Sequence, residues 1–303
     1  MQTVDHTLTG RWERTQANIA LLSLFGGALG IAFAPIFVRL SSVGPSATAF
    51  WRLTLALPAL WLWAFLEKPA GRRVWRLSSR AIGVQLALAG LLFSGDLAVW
   101  HWSIHLTSVA NATLLANFAP IFVVLGGWLA LGYTVGVTFL LGMAAALFGT
   151  ALMVGTSFSM SVYHLWGDAL GLITAMFYAG YLLTVKRLRD ELSTGTIMAW
   201  SGTVMSCTLF GIALLSQEQI VPSSREGWRP LIGLALISQV GGQSLIAYAL
   251  AHLPAAFSSV GLLLQPVMAT IFAWWILGET IGYVQALGGG FVLLGIVIAR
   301  RVS

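Results

Sequence analysis

The stretch FSGDLAVWHWSIH holds an acid and two imidazoles: Asp96, His101 and His105. Together such groups could bind a metal or move protons. His101 and His105 stand four apart and share one face of a helix. On that helix Asp96 points about 140° away from His101 and about 180° away from His105. The three cannot converge, and no third nitrogen or sulfur ligand is evident, so the histidines read as interfacial polar residues and no metal is expected. Asp96 stands alone in an apolar run, where an ionisable group by default lines a cavity. It could pair with a substrate ammonium or titrate as a proton site. Trp100 lies only about 40° from Asp96 around the helix, so an aromatic face could add a cation–π contribution of about 0.5–2 kcal/mol beside the acid.

Other polar side chains interrupt apolar runs: Asn111, Asn117, Tyr178, Tyr181, Gln239, Gln243, Tyr248 and Gln265. Gln239 and Gln243 are four apart and share a face. Asn117 lies three before Pro120, which removes a backbone donor and frees a carbonyl one turn earlier. Amides and phenols in lipid must find partners, and a substrate or a neighbouring helix serves equally well. Arg39 and Arg52 lie within about two turns of a span end, where their stems can snorkel to water.

The elements that carry these residues follow from composition. The chain of 303 residues is 58% hydrophobic and 9% charged, with a mean hydropathy of +0.86. A soluble domain carries roughly a quarter of its residues charged, so most of this surface must face lipid. Thirteen tryptophans and 33 glycines suit that solvent, as interface anchors and as sites of close helix packing. The single Cys207 rules out an internal disulfide. Basic residues are dispersed between apolar segments, which reads as topology and not as a nucleic-acid surface.

Segments of about 20 apolar residues fall at about 17–40, 46–66, 81–104, 109–131, 134–155, 166–186, 196–216, 229–251, 256–277 and 281–299. With the N-terminus in the cytoplasm, twelve lysines and arginines lie in inner segments and two, Arg225 and Arg229, in outer loops. That bias predicts ten spans with both termini inside. About 16 polar residues precede the first apolar run, which therefore reads as a signal anchor and not as a cleaved leader. The expected organisation is a tail at 1–16, five spans over 17–155, an external linker at 156–165, five spans over 166–299 and a tail at 300–303.

Shifting the chain by 146 residues lays 98–153 on 244–299 without a gap. Pro120 falls on Pro266, Trp128 on Trp274, Gly142 on Gly288 and Gly149 on Gly295, and Tyr248 overlies Trp102. LALGYTVG at 129–136 and WILGETIG at 275–282 share the frame L-G-x-T-x-G, a tight turn in which Thr134 and Thr280 could cap the next helix. Only the second copy carries an acid, Glu279, so the turn itself does not need one. Five spans per repeat is odd, so the halves must be inverted. Inverted repeats around a midplane site are the sign of an alternating-access carrier.

The segment from Gly241 to Ala299 resembles the signature of EamA-type carriers of the drug/metabolite transporter superfamily. The likeness rests on Tyr248–Leu250, the small residues Pro254–Ser259, Pro266, Leu277–Glu279 and the glycines from Gly288 to Gly295. FWRL at Phe50–Leu53 resembles the family's arginine in the second span, and WGDALGLITAMFYAGYLL at 166–183 the opening of its second repeat. The first repeat departs in having Tyr133 where the family often has a second L-G-E glutamate. The resemblance implies ten helices in two inverted five-helix repeats, a central cavity and export of small metabolites. The tryptophans and WHWSIH point toward the aromatic amino-acid exporter branch.

Asp96, Trp100, Trp102, Asn111, Asn117, Tyr178, Tyr181, Gln239, Gln243, Tyr248 and Gln265 are accordingly the expected substrate contacts. A neutral or zwitterionic cargo is expected, aromatic or large neutral amino acids first. A broad drug/metabolite exporter and a nucleotide-sugar or sugar-phosphate exchanger are the alternatives, and an intramembrane enzyme would need convergent groups that the spacing does not supply. The exchanger should show cavity-facing cations, whereas every basic residue reads here as near a membrane edge. No P-loop is present, so transport does not run on the chain's own ATPase. Lipid and a small molecule are the expected partners, with no cofactor and no nucleic acid, for a monomer in the inner membrane.

Overall fold

Where no water is available, a spanning segment must satisfy its backbone internally, and an apolar run of this length does so as a helix. The computed structural model describes residues 6–67, 80–107, 109–155, 165–278 and 280–302, and every regular element among them is helical. The ten spans run Thr15–Leu40, Pro45–Leu66, Arg80–Trp100, Ala112–Leu129, Val137–Gly155, Leu165–Leu188, Thr194–Leu215, Trp228–His252, Ala255–Ile276 and Tyr283–Arg300. The protein is a multi-pass membrane protein, and the spans match the sequence reading to within a few residues. The first helix begins earlier than the expected tail allows, at His6. Residues 156–164 of the expected linker, Lys68–Arg76 and Glu279 lie outside the described residues.

Prolines break several spans. The first divides at Phe33 before Pro35, the second at Leu55–Ala56 before Pro58, and the fourth at Asn117–Phe118 before Pro120. The ninth divides at Leu262–Leu263 before Pro266. The breaks in the fourth and ninth spans fall within one residue of equivalent positions under the 146-residue shift. The eighth span is π-helical over Leu234–Gln243. A π segment of this kind frequently marks a functional site.

The inverted repeat is visible in the contacts. The fifth and tenth spans pack closely along one another, with glycine facing glycine. A Cβ on Gly142 would lie 2.8 Å from the Gly295 carbonyl oxygen, and one on Gly288 would lie 2.6 Å from the Gly149 carbonyl oxygen. Gly142 is the repeat equivalent of Gly288, and Gly149 of Gly295, so each contact maps onto the other when the halves exchange. The repeated L-G-x-T-x-G turn is likewise the same structure twice. Gly132 and Gly278 end their helices in the left-handed region, at φ 68° and 69°, a conformation that a side chain penalises. Thr134 and Thr280 do not cap the following helices. In the second turn the cap falls two residues later, at Gly282, whose N–H donates to the Gln285 side chain at 2.9 Å. In the first turn the equivalent Gly136 carbonyl accepts the Leu140 N–H at 3.2 Å.

A second reciprocal feature joins the second and seventh spans. Glu67, just past the second span, accepts the Gly195 N–H at the start of the seventh at 2.8 Å. Glu218, just past the seventh, accepts the Ser46 and Ala47 N–H groups at the start of the second, at 2.8 and 3.3 Å. Each carboxylate meets the positive end of a helix whose first N–H groups have no intrahelical partner. Glu67→Ala and Glu218→Ala should each lower stability by about 1 kcal/mol. Thermal unfolding in detergent measures this, and unchanged melting of both variants would contradict the capping role.

Candidate functional site

Arg52 lies seven residues past Pro45, about 10 Å into the span at 1.5 Å per residue. It is 7% exposed. Its Nε donates to Gln239 Oε1 at 2.9 Å, and its guanidinium carbon stands 5.6 Å from the centre of the Phe93 ring, within cation–π range. The arginine does not snorkel to the interface, which corrects the expectation for this residue.

Asp96, three residues after Phe93 and partly buried, attracts Arg52 without touching it. Among the described residues, Asp96 makes no ion pair or hydrogen bond. Tyr178 and Tyr181 stack with ring centres 6.2 Å apart, and Phe93 stands 4.8 Å from Tyr181. The Tyr181 hydroxyl donates weakly to Met198 Sδ at 3.9 Å. Gln265 is within reach of the Tyr178 hydroxyl and Gln243 within reach of Tyr181. Neither contact satisfies the glutamines: Gln239 Nε2, both amide atoms of Gln243 and Gln265 Nε2 are buried with no partner of good geometry. Polar atoms buried in that way are costly. Beside a buried arginine and an acid, these amides make the cluster the candidate site for polar groups of a bound molecule.

The cluster draws on the second and third spans of the first half and on the sixth, eighth and ninth of the second. Of the expected residues, Asp96, Tyr178, Tyr181, Gln239, Gln243 and Gln265 come together here. Trp100 is partly buried one turn beyond Asp96. Trp102 is 58% exposed and stands off the cluster, because its helix position faces outward. Asn117 turns its amide back to the Thr113 carbonyl at 2.8 Å, an oxygen that also accepts the Asn117 backbone N–H, so the side chain is spent within its own helix. Tyr248 packs against His252, with ring centres 5.1 Å apart, and lies near Arg189 toward the end of its span. The side chains of Asn111, His101 and His105 lie outside the described residues. A cleft of about 320 Å³ opens elsewhere, between the ends of the first, ninth and tenth spans, beside Leu21, Leu253, Phe257 and Arg300. It shares no residue with the cluster and is lined mainly by apolar groups, so the buried cluster is the better candidate.

Arg52 and Phe93 were not among the expected contacts. The signal that could have found Arg52 is the one applied to Asp96: an ionisable residue inside a span is functional by default.

The family model for the EamA-like transporter family matches residues 18–155 and again residues 165–301. The chain belongs to the EamA-like transporter family. It is 26% identical over 295 residues to an uncharacterized transporter of Archaeoglobus fulgidus, covering 94% of this chain and 97% of that protein. It is 26% identical over 247 residues to the pseudopaline exporter CntI of Pseudomonas aeruginosa, 79% of this chain and 85% of the relative. A probable terminal-alkyne amino-acid exporter of Streptantibioticus cattleyicolor is 28% identical over 275 residues, 89% of each chain. One known crystal structure superposes with a TM-score of 0.76 at 17% identity, covering 94% of this EamA-family chain and 98% of the other; that likeness concerns the fold alone. The family and the helices agree on a membrane transporter of two five-helix repeats.

Proposed function

We propose that the protein exports small neutral or zwitterionic metabolites, aromatic or large neutral amino acids foremost, across the inner membrane by alternating access. The observation that carries this reading is the buried cluster of Arg52 and Asp96, opposite charges set among unsatisfied amides where the two inverted halves meet. Exchange of the halves about such a site opens it first to one side and then to the other. The exporter names of two relatives, one of them a probable terminal-alkyne amino-acid exporter, support export over an enzymatic role. Both termini lie in the cytoplasm, on the count of basic residues in the loops.

Arg52 alone would favour a phosphate-bearing cargo, since the exchanger alternative needs a buried cation. Asp96 argues against it. The two side chains leave the cluster near neutrality, and a phosphate dianion would meet a carboxylate as well as a guanidinium. Influx of radiolabelled phenylalanine, tryptophan and leucine into proteoliposomes tests the proposal, with sugar phosphate as a parallel cargo. Saturable influx of at least one amino acid is expected. Influx that rises linearly with concentration for all three contradicts the carrier, and saturation by sugar phosphate alone contradicts the cargo.

A further inference from the structure

We infer that Arg52 is the residue that recognises a carboxylate on the transported molecule, with Gln239 positioning it and Asp96 answering an ammonium group on the same molecule. The inference rests on the amino-acid reading above and narrows it to cargoes that carry a carboxylate.

A guanidinium offers five N–H donors in a planar fork, and its terminal edge matches a carboxylate with two parallel bonds. Gln239 takes only the Nε donor, at 2.9 Å. Among the described residues, no hydrogen bond uses the terminal nitrogens, although the residue is 7% exposed. The neighbouring acid does not fill that edge either, since no ion pair joins Arg52 to Asp96. The terminal nitrogens are not among the fully enclosed atoms without a partner, so they face space that another molecule can enter. A cation set this deep is unfavourable unless acceptors are supplied there.

The surroundings fit that role. Gln239 comes from the π-helical part of the eighth span, and its Oε1 fixes the rotation of the guanidinium about its long stem. The guanidinium carbon stands over the Phe93 ring, 5.6 Å from its centre. Asp96 follows Phe93 by one helical turn, so an acceptor and a donor site for one zwitterion are held by two different spans. Tyr178 and Tyr181 bring aromatic faces to the same place, beside Phe93. An amino acid with a large apolar side chain offers matching groups: carboxylate, ammonium and an apolar body. A purely structural Arg52 would tie the second span to the eighth and have no preference among cargoes.

The test is competition against labelled phenylalanine in proteoliposomes. Unlabelled phenylalanine is compared with phenylalaninamide, which keeps the ring and the ammonium and lacks the carboxylate. The wild type should prefer phenylalanine by about tenfold or more, the worth of a buried charge-assisted pair. Arg52→Lys retains the charge without the fork and should reduce that preference severalfold. Arg52→Gln should bring it close to one. Monodispersity and thermal unfolding establish that each variant folds; should Arg52→Gln fail to fold, the wild type and Arg52→Lys still decide. Equal competition by the amide in the wild type overturns the assignment, as does an undiminished preference in a folded Arg52→Gln. Absence of saturable phenylalanine, tryptophan and leucine flux in the wild type removes the amino-acid reading, and the assignment with it. Saturable flux without discrimination removes the assignment alone.

Discussion

Arg52→Gln and Asp96→Asn should each destabilise the protein, and the double variant should lose less than the sum of the two. Each single change leaves one charge in a low-dielectric interior without its counterweight, whereas the double change removes both. A coupling energy of about 1–3 kcal/mol is expected for groups that share one environment. Thermal unfolding of the four proteins in one detergent closes the cycle, and strict additivity would show that the two charges do not act on each other. Asp96→Asn carries a further expectation in transport. Arg52, Tyr178 and Tyr181 are the other ionisable groups around Asp96, and of the four only a carboxylate ordinarily titrates in the acidic range. The variant should flatten the pH profile of flux, and an unchanged profile removes Asp96 as a proton site.

Gly149→Leu should be the most disruptive single change outside the cluster. The glycine backbone lies directly against the Gly288 carbonyl and the Val292 N–H of the tenth span, so any side chain must force two helix backbones apart. In lipid the association of these helices depends on close packing, and overpacking a site of this kind costs about 3 kcal/mol or more. Loss of monodisperse protein, or a large drop in melting temperature, is the expected result. Gly290→Ala is the matched control: nothing lies within 4 Å of a Cβ placed there, and melting should hold. Similar melting of the two variants would show that the fifth and tenth spans do not form the tight crossing between the halves.

Much of this architecture is legible in the sequence because a bilayer imposes strong rules. The spans follow from length and hydropathy. The inverted repeat follows from an ungapped shift, and the helix breaks near Pro120 and Pro266 and the glycines on the fifth and tenth spans confirm it in detail. The turns are legible at Gly132 and Gly278, which must adopt positive φ, but not at their caps. Thr134 and Thr280 have the right chemistry for capping, yet the helices start later. A cap is decided by where the chain turns into the helix, and residue type records that only weakly.

The site is legible one residue at a time and not as a set. Asp96 stands out because an acid in an apolar run is rare. Arg52 is as rare in its own run, but its closeness to the span end permits snorkelling, and only the packing of the second span against the eighth shows it turned inward. The pairing of Arg52 with Gln239 joins residues 187 positions apart, beyond the reach of helical periodicity. Trp102 illustrates the converse. Aromatic character and a repeat partner suggested a contact, while the face of the helix, which depends on its neighbours, turned it outward.

The most direct test of the account is counterflow. Proteoliposomes loaded with unlabelled phenylalanine should take up external labelled phenylalanine faster than empty ones, since a site exposed to one side at a time returns more readily with cargo bound. Labelled uptake that is indifferent to internal phenylalanine while influx proceeds would contradict an alternating-access carrier built from two inverted repeats.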